Sequence, residues 1–206
     1  MKTTIKIIAA FCFILFVSAF TITKSTLGDG YKIGDIADDF KLENIDGNMV
    51  SLSDYKEAKG FIVTFTCNTC PYAVMYEDRI IALDKKYAPN GYPVIAIMPN
   101  NVEVQPGDRM EAMKERANTK GFTFPYLIDA EQTVFPKYGA TRTPHIFVLQ
   151  KTEKGNVVKY IGTIDDNYKD AAAVKTKYVE EAVDALLKGK DIKEKETKAI
   201  GCSIKV

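Results

Sequence analysis

Apolar residues fall into distinct patterns along the chain. Phe61 to Phe65 (Phe-Ile-Val-Thr-Phe) and Pro93 to Met98 (Pro-Val-Ile-Ala-Ile-Met) are short, nearly unbroken runs rich in β-branched and aromatic residues. Such runs predict strands buried on both faces. Phe40-Lys41-Leu42 and Met49-Val50-Ser51-Leu52 alternate instead, around Asn44-Ile45-Asp46-Gly47-Asn48, and the Asp-Gly pair predicts a hairpin. Tyr72 to Tyr87 carries Val74, Met75, Ile80, Ile81 and Leu83 near helical spacing and is stopped by Asn90-Gly91. Pro99-Asn100-Asn101 reads as a loop, and Asp108 is expected to cap a helix running to about Lys120, ended by Gly121. Tyr126-Leu127-Ile128-Asp129 predicts a short strand, followed by a brief helix to Tyr138-Gly139. His145 to Leu149 and Val157 to Ile161 predict two strands joined through Lys154-Gly155-Asn156, and residues 171–188 a final helix. No internal repeat is present.

Strands that alternate with helices, then a terminal hairpin and helix, predict an α/β domain: a central mixed β-sheet flanked by helices, with an N-terminal β-hairpin extension. The β-α-β opening, the closing β-β-α and a Cys-x-x-Cys between strand and helix together point to a thioredoxin-like fold.

The first twenty residues break the pattern. Lys2 and Lys6 precede an unbroken apolar run, Ile7 to Val17, and Val17-Ser18-Ala19 places small residues where a signal peptidase reads them. The run is shorter than the roughly 20 residues a spanning helix needs, so a cleaved secretory signal over residues 1–19 is expected rather than an anchor. Residues 20–30 read as a linker and 31–206 as the domain. Cleavage would remove Cys12 and two lysines and take the formal charge from +1 to −1. With charges so nearly balanced, no nucleic-acid footprint is visible. Periplasmic or secreted localisation is expected, in a compartment where disulfides persist. Three cysteines remain, Cys67, Cys70 and Cys202, and the odd count suits a redox protein better than a stapled scaffold.

The chemistry centres on Cys67-Asn68-Thr69-Cys70-Pro71. A helix N-terminus favours a thiolate, so Cys67 is expected to be the exposed nucleophile and Cys70 the more shielded thiol that resolves a mixed disulfide. Asn68 and Thr69 bring hydrogen bonds and no charge. A zinc site would need about four ligands, and only Cys202 and His145 remain as candidates, so no metal is expected. A disulfide across two residues closes too small a loop to serve as a staple.

Beyond the Cys-x-x-Cys-Pro, several segments resemble the AhpC/TSA (redoxin), peroxiredoxin-like branch of the thioredoxin superfamily. They are Gly34-Asp35-Ile36-Ala37-Asp38-Asp39-Phe40, Phe124 to Asp129, Tyr138-Gly139-Ala140, Tyr160-Ile161-Gly162 with Asp165-Asp166, and the ending Ile200-Gly201-Cys202-Ser203-Ile204-Lys205. The resemblance implies that Thr143-Pro144 is a cis peptide facing the cysteines, with the Thr143 backbone open to pair with an extended substrate segment. It also implies two activities, disulfide exchange and peroxide reduction with Cys67 peroxidatic and Cys70 resolving. Thr64 stands where the peroxidase motif has threonine, but Gly60 stands where it has proline. Arg142 takes a position that is often cysteine in the similar subgroup. The peroxidase signature is incomplete, which favours exchange on protein disulfides. A copper carrier, with His145 joining the cysteine pair as in Sco-like proteins, is the third reading; otherwise His145 is a rim residue. Cys202 is expected to pack as an unreactive tail thiol, with a resolving or interchain role as the alternative. The expected partners are protein disulfides or thiols, with a membrane electron donor as a candidate source of electrons. No cofactor is expected, and the sequence leaves the oligomeric state open.

Overall fold

The computed structural model describes residues 30–206. The expected signal peptide (1–19) and the linker up to residue 29 lie outside the described residues. In chain order the elements are β1 (Ile36–Ala37), β2 (Lys41–Asn44), β3 (Met49–Ser51), β4 (Gly60–Phe65), α1 (Pro71–Tyr87), β5 (Val94–Met98), α2 (Met110–Lys120), β6 (Tyr126–Ile128), α3 (Val134–Tyr138), β7 (Arg142–Thr143), β8 (His145–Thr152), β9 (Gly155–Gly162), α4 (Tyr178–Leu187) and β10 (Cys202–Ser203). Eight strands form one sheet in the order β1-β9-β8-β4-β5-β6-β2-β3, and β7 and β10 pair separately. β4, β5 and β6 run parallel, while β8, β9, β2 and β3 add antiparallel neighbours on either side. The mixed sheet matches expectation. The N-terminal hairpin β2–β3 is present as expected and extends the sheet, because β2 pairs with β6.

The unbroken apolar runs are explained by burial on both faces. In β4, Ile62 packs into the core layer that holds Tyr76, Ile80 and Tyr87 of α1 and Val179, Ala182 and Val183 of α4. Phe61, Val63 and Phe65 point to the opposite layer, with Phe40, Leu52, Val134 and Tyr138. A strand with helices on one side and the α3 region on the other has no solvent face to make polar.

Charged residues on α1 tie it to its neighbours. Glu77 is buried and accepts two hydrogen bonds from Arg116 of α2, at 2.6 and 2.8 Å. The paired fork geometry adds orientation as well as energy. Arg79 reaches Asp165 and the carbonyls of Asn167 and Tyr168, and so fixes the loop after β9.

Two expectations need correction. The final helix begins at Tyr178 rather than residue 171, because Asp170 caps only a single 3-10 turn over Ala171–Ala173. The Asp166 N–H bonds the Thr176 carbonyl and the Asp166 carboxylate accepts from the Lys175 N–H, which ties residues 175 and 176 down outside the helix. The second correction concerns α2, whose N-cap is Arg109, while Asp108 turns inward to a different task.

Gly60 shows why the peroxidase-type proline is missing here. Its N–H donates to the Gly91 carbonyl, and a Cβ would collide with the Leu149 carbonyl oxygen and the Tyr92 ring. Gly60→Ala is expected to destabilise the protein by about 1–3 kcal/mol, read as a lower denaturation midpoint at unchanged slope. An unchanged midpoint would show that the site relaxes freely.

Candidate active site

Cys67 and Cys70 lie past the C-terminal end of β4, where the chain turns into α1. Open sheets with parallel strands place ligands at this end. Pro71 occupies the first helical position, where its missing N–H costs nothing, and Cys70 itself is the N-cap of α1.

The loop is held from beneath by Asp108, which is fully buried. Its Oδ1 accepts from the Asn68 N–H at 2.8 Å and the Thr69 N–H at 3.2 Å. Its Oδ2 accepts from Thr69 Oγ1 at 3.0 Å and from Asn100 Nδ2 at 2.7 Å. Asn68 is further fixed by its Nδ2, which donates to the Gly107 carbonyl, and by its Oδ1, which accepts from the Tyr126 hydroxyl. Asp108 and Asn100 were not anticipated as site residues. Asp108 carried the letter of a helix cap and Asn100 that of a turn, and their contacts are made across the fold.

The Thr143–Pro144 peptide is cis. Thr143 meets both thiols: its Oγ1 lies 3.2 Å from Cys67 Sγ, and its carbonyl accepts from Cys70 Sγ at 3.0 Å. Thr64, three residues before Cys67, leaves its buried hydroxyl without a hydrogen bond, so the hydroxyl at Cys67 is that of Thr143 and not of Thr64.

The thiols differ from expectation. Both cysteines are 3% exposed, so Cys67 is no more accessible than Cys70. The neighbouring Cys67 thiol, with help from the Cys202 side chain and the N–H groups of Ala73 and Cys202, lowers the Cys70 thiol against its burial. The Cys70 side chain in turn raises Cys67, and burial and the negative charge of Asp108 add to it. The Thr143 carbonyl opposes a charge on Cys70, but the donors around that sulfur outnumber it. The N-cap position sets Cys70 at the helix end, and the donors around it favour negative charge there.

The Thr143 edge, expected to be open, is covered. β10 pairs with β7 antiparallel, Cys202 opposite Thr143 and Ser203 opposite Arg142. Arg142 is exposed and reaches the Gly201 carbonyl and Ser203 Oγ. His145 is buried; its Nδ1 accepts from the Thr141 N–H and its ring tilts against Phe147. Among the described residues no group of three or more His, Cys, Asp or Glu side chains is placed to hold a metal ion.

The AhpC/TSA family model matches residues 33–161. The chain belongs to this family. The thiol-disulfide oxidoreductase ResA of Bacillus thuringiensis is 28% identical over 147 residues, covering 69% of this chain and 78% of ResA. An uncharacterised conserved protein from Geobacillus kaustophilus has a structure similar to this AhpC/TSA chain, with a TM-score of 0.79 at 35% identity over 85% of this chain and 93% of that one. A structure described as thiol:disulfide interchange protein DsbE from Chlorobium tepidum shares the thioredoxin-like fold, with a TM-score of 0.59 at 20% identity over 77% of this chain and 99% of that one.

Asp108→Ala strands four donors at once and is expected to cost about 2–4 kcal/mol of stability, measured by chemical denaturation. A loss under 1 kcal/mol by the same scale would show the loop to be held elsewhere. Burial lowers His145 from 6.5 to about 4. The unfolded chain therefore binds the proton more readily, so this contribution is complete above pH 6.5 and is lost as pH falls toward 4. His145→Gln should flatten the acid limb of the stability profile in that window. A limb of unchanged steepness would assign it to other groups.

Proposed function

We propose that this AhpC/TSA protein is an exported thiol-disulfide oxidoreductase whose Cys67–Cys70 pair cycles between dithiol and disulfide on protein partners. The carrying observation is that both sulfurs lie against one residue, Thr143. That arrangement sets the two cysteines side by side to cycle as one dithiol. Closing the pair passes two electrons to a partner disulfide, which leaves as one thiol and one thiolate, and the thiolate takes its proton from solvent. The ResA similarity supports the same reaction class. Export is supported by the basic start and apolar run of the first nineteen residues. A membrane electron donor would then regenerate the dithiol.

Peroxide reduction is less well supported, since Cys67 is pushed toward its protonated form and Thr64 does not reach it. The buried pair and the covered Thr143 edge also mean that a partner enters only where the tail moves aside or carries the exchange itself.

Insulin reduction, run beside peroxide consumption and copper binding, tests the reading. Wild type should reduce insulin, and Cys70→Ser should lose at least roughly a hundredfold of that turnover, because it removes a sulfur without which the pair cannot close. Peroxide turnover without insulin reduction in wild type would sink the proposal.

A further inference from the structure

The tail after α4 lies beyond the family match, which ends at residue 161, and it is built into the site. The Lys205 N–H donates to Asn100 Oδ1 at 2.9 Å, and the Lys205 carbonyl accepts from the Asn101 N–H at 2.8 Å and from Gln132 Nε2 at 2.7 Å. Asn100 is the residue that also donates to Asp108, so one asparagine joins the tail to the loop carrying the cysteines. Gly201 permits the close approach, since a Cβ there would collide with the Thr143 carbonyl.

This placement sets a third thiol at the pair. The Cys202 N–H donates to Cys70 Sγ at 3.3 Å, and Cys202 lies opposite Thr143, whose carbonyl accepts from the same sulfur. Cys70 thus lies between its pair partner Cys67 and the tail cysteine. The two cysteines of the pair are 3% exposed, whereas Cys202 is partly exposed.

We propose that Cys202 is a third redox cysteine, which exchanges with the Cys67–Cys70 disulfide to form Cys70–Cys202 and so carries the disulfide between the buried pair and the surface. The inference rests on the redox reading of the Cys67–Cys70 pair. In the step, the Cys202 thiolate attacks Cys70 Sγ. The Cys67–Cys70 bond breaks, the Cys70–Cys202 bond forms, and the electron pair leaves on Cys67, which takes up the proton that Cys202 gave. No electrons are gained or lost, so the step needs no oxidant. A partner thiol then attacks the accessible sulfur, Cys202, and the reverse sequence serves a partner disulfide. Burial, and after it Cys70, raise the Cys202 thiol to about 11 in the reduced protein. Once Cys70 is in a disulfide its hydrogen bond and charge no longer oppose ionisation of Cys202, although burial still does, so the attacking thiolate forms more readily than in the reduced protein.

The test is non-reducing peptide mapping of full-length protein, oxidised with diamide, with free thiols blocked before digestion. Trypsin leaves Cys67 and Cys70 together in residues 60–79 and Cys202 in residues 199–205. Cys67→Ser should yield these two peptides linked through Cys70 and Cys202 in a monomer, and oxidised wild type should show the same link beside the internal Cys67–Cys70 bond. Cys70→Ser should show none. Cys202→Ser should close Cys67–Cys70 yet be re-reduced by glutathione roughly fivefold or more slowly, because the exposed sulfur is gone. If wild type closes Cys67–Cys70 and reduces insulin but neither it nor Cys67→Ser forms the Cys70–Cys202 link, this inference alone fails. If wild type neither closes the pair nor reduces insulin, the reading of the site fails and the inference with it. Unchanged re-reduction of Cys202→Ser would likewise overturn the relay.

Discussion

The active-site loop depends on one buried carboxylate. Asp108 has no exposed surface, and four donors converge on its two oxygens. A buried carboxylate is costly unless it is fully hydrogen-bonded, and here the requirement works in both directions. The loop over Asn68 and Thr69 must keep its shape to supply the N–H groups, and the carboxylate must stay in place to receive them. Through Asn100 the same network reaches the tail, so the two segments that bring cysteines together share an anchor.

The anchor also shapes the electrostatics. Asn68 and Thr69 contribute no charge, but Asp108 beneath them contributes a negative one near Cys67 and discourages a thiolate there. Cys67, and after it the donors from Cys202 and Ala73, encourage one at Cys70. An acid forty residues away and a tail from the end of the chain thus add to what the two sulfurs do to each other, while the residues between the cysteines bring no charge.

That division explains what could be read from the sequence. Phe61–Phe65 and Val94–Met98 were legible because a strand covered on both faces must be apolar throughout, and Asn44–Asn48 because a tight turn needs its Asp-Gly. The cysteine pair, its place before Pro71 and the partner Thr143–Pro144 follow from local pattern and family resemblance. Asp108 was not legible as an anchor, since a capping aspartate and a buried one look alike until the chain around them is folded. The Ala171–Thr176 segment carries helix-forming alanines, yet Asp166 and Asp170 hold it in other conformations through contacts the pattern does not encode. β10 is two residues long, and nothing local announces a strand so short. The expected exposure of Cys67 was missed for the same reason: the tail that helps bury the site is remote in sequence.

The order of strands has a consequence for how this domain behaves in company. The eight-stranded sheet ends in β3, three residues long, and in β1, two residues long. The broad, apolar strands β4, β5 and β8 are all interior, and the β7 edge beside the thiols is taken by β10. Unpaired edges are where sheets join one another and aggregate, and short edges offer little to join. Among the described residues almost no backbone edge is thus left on which another chain could lengthen the sheet, and a partner would have to meet side chains instead.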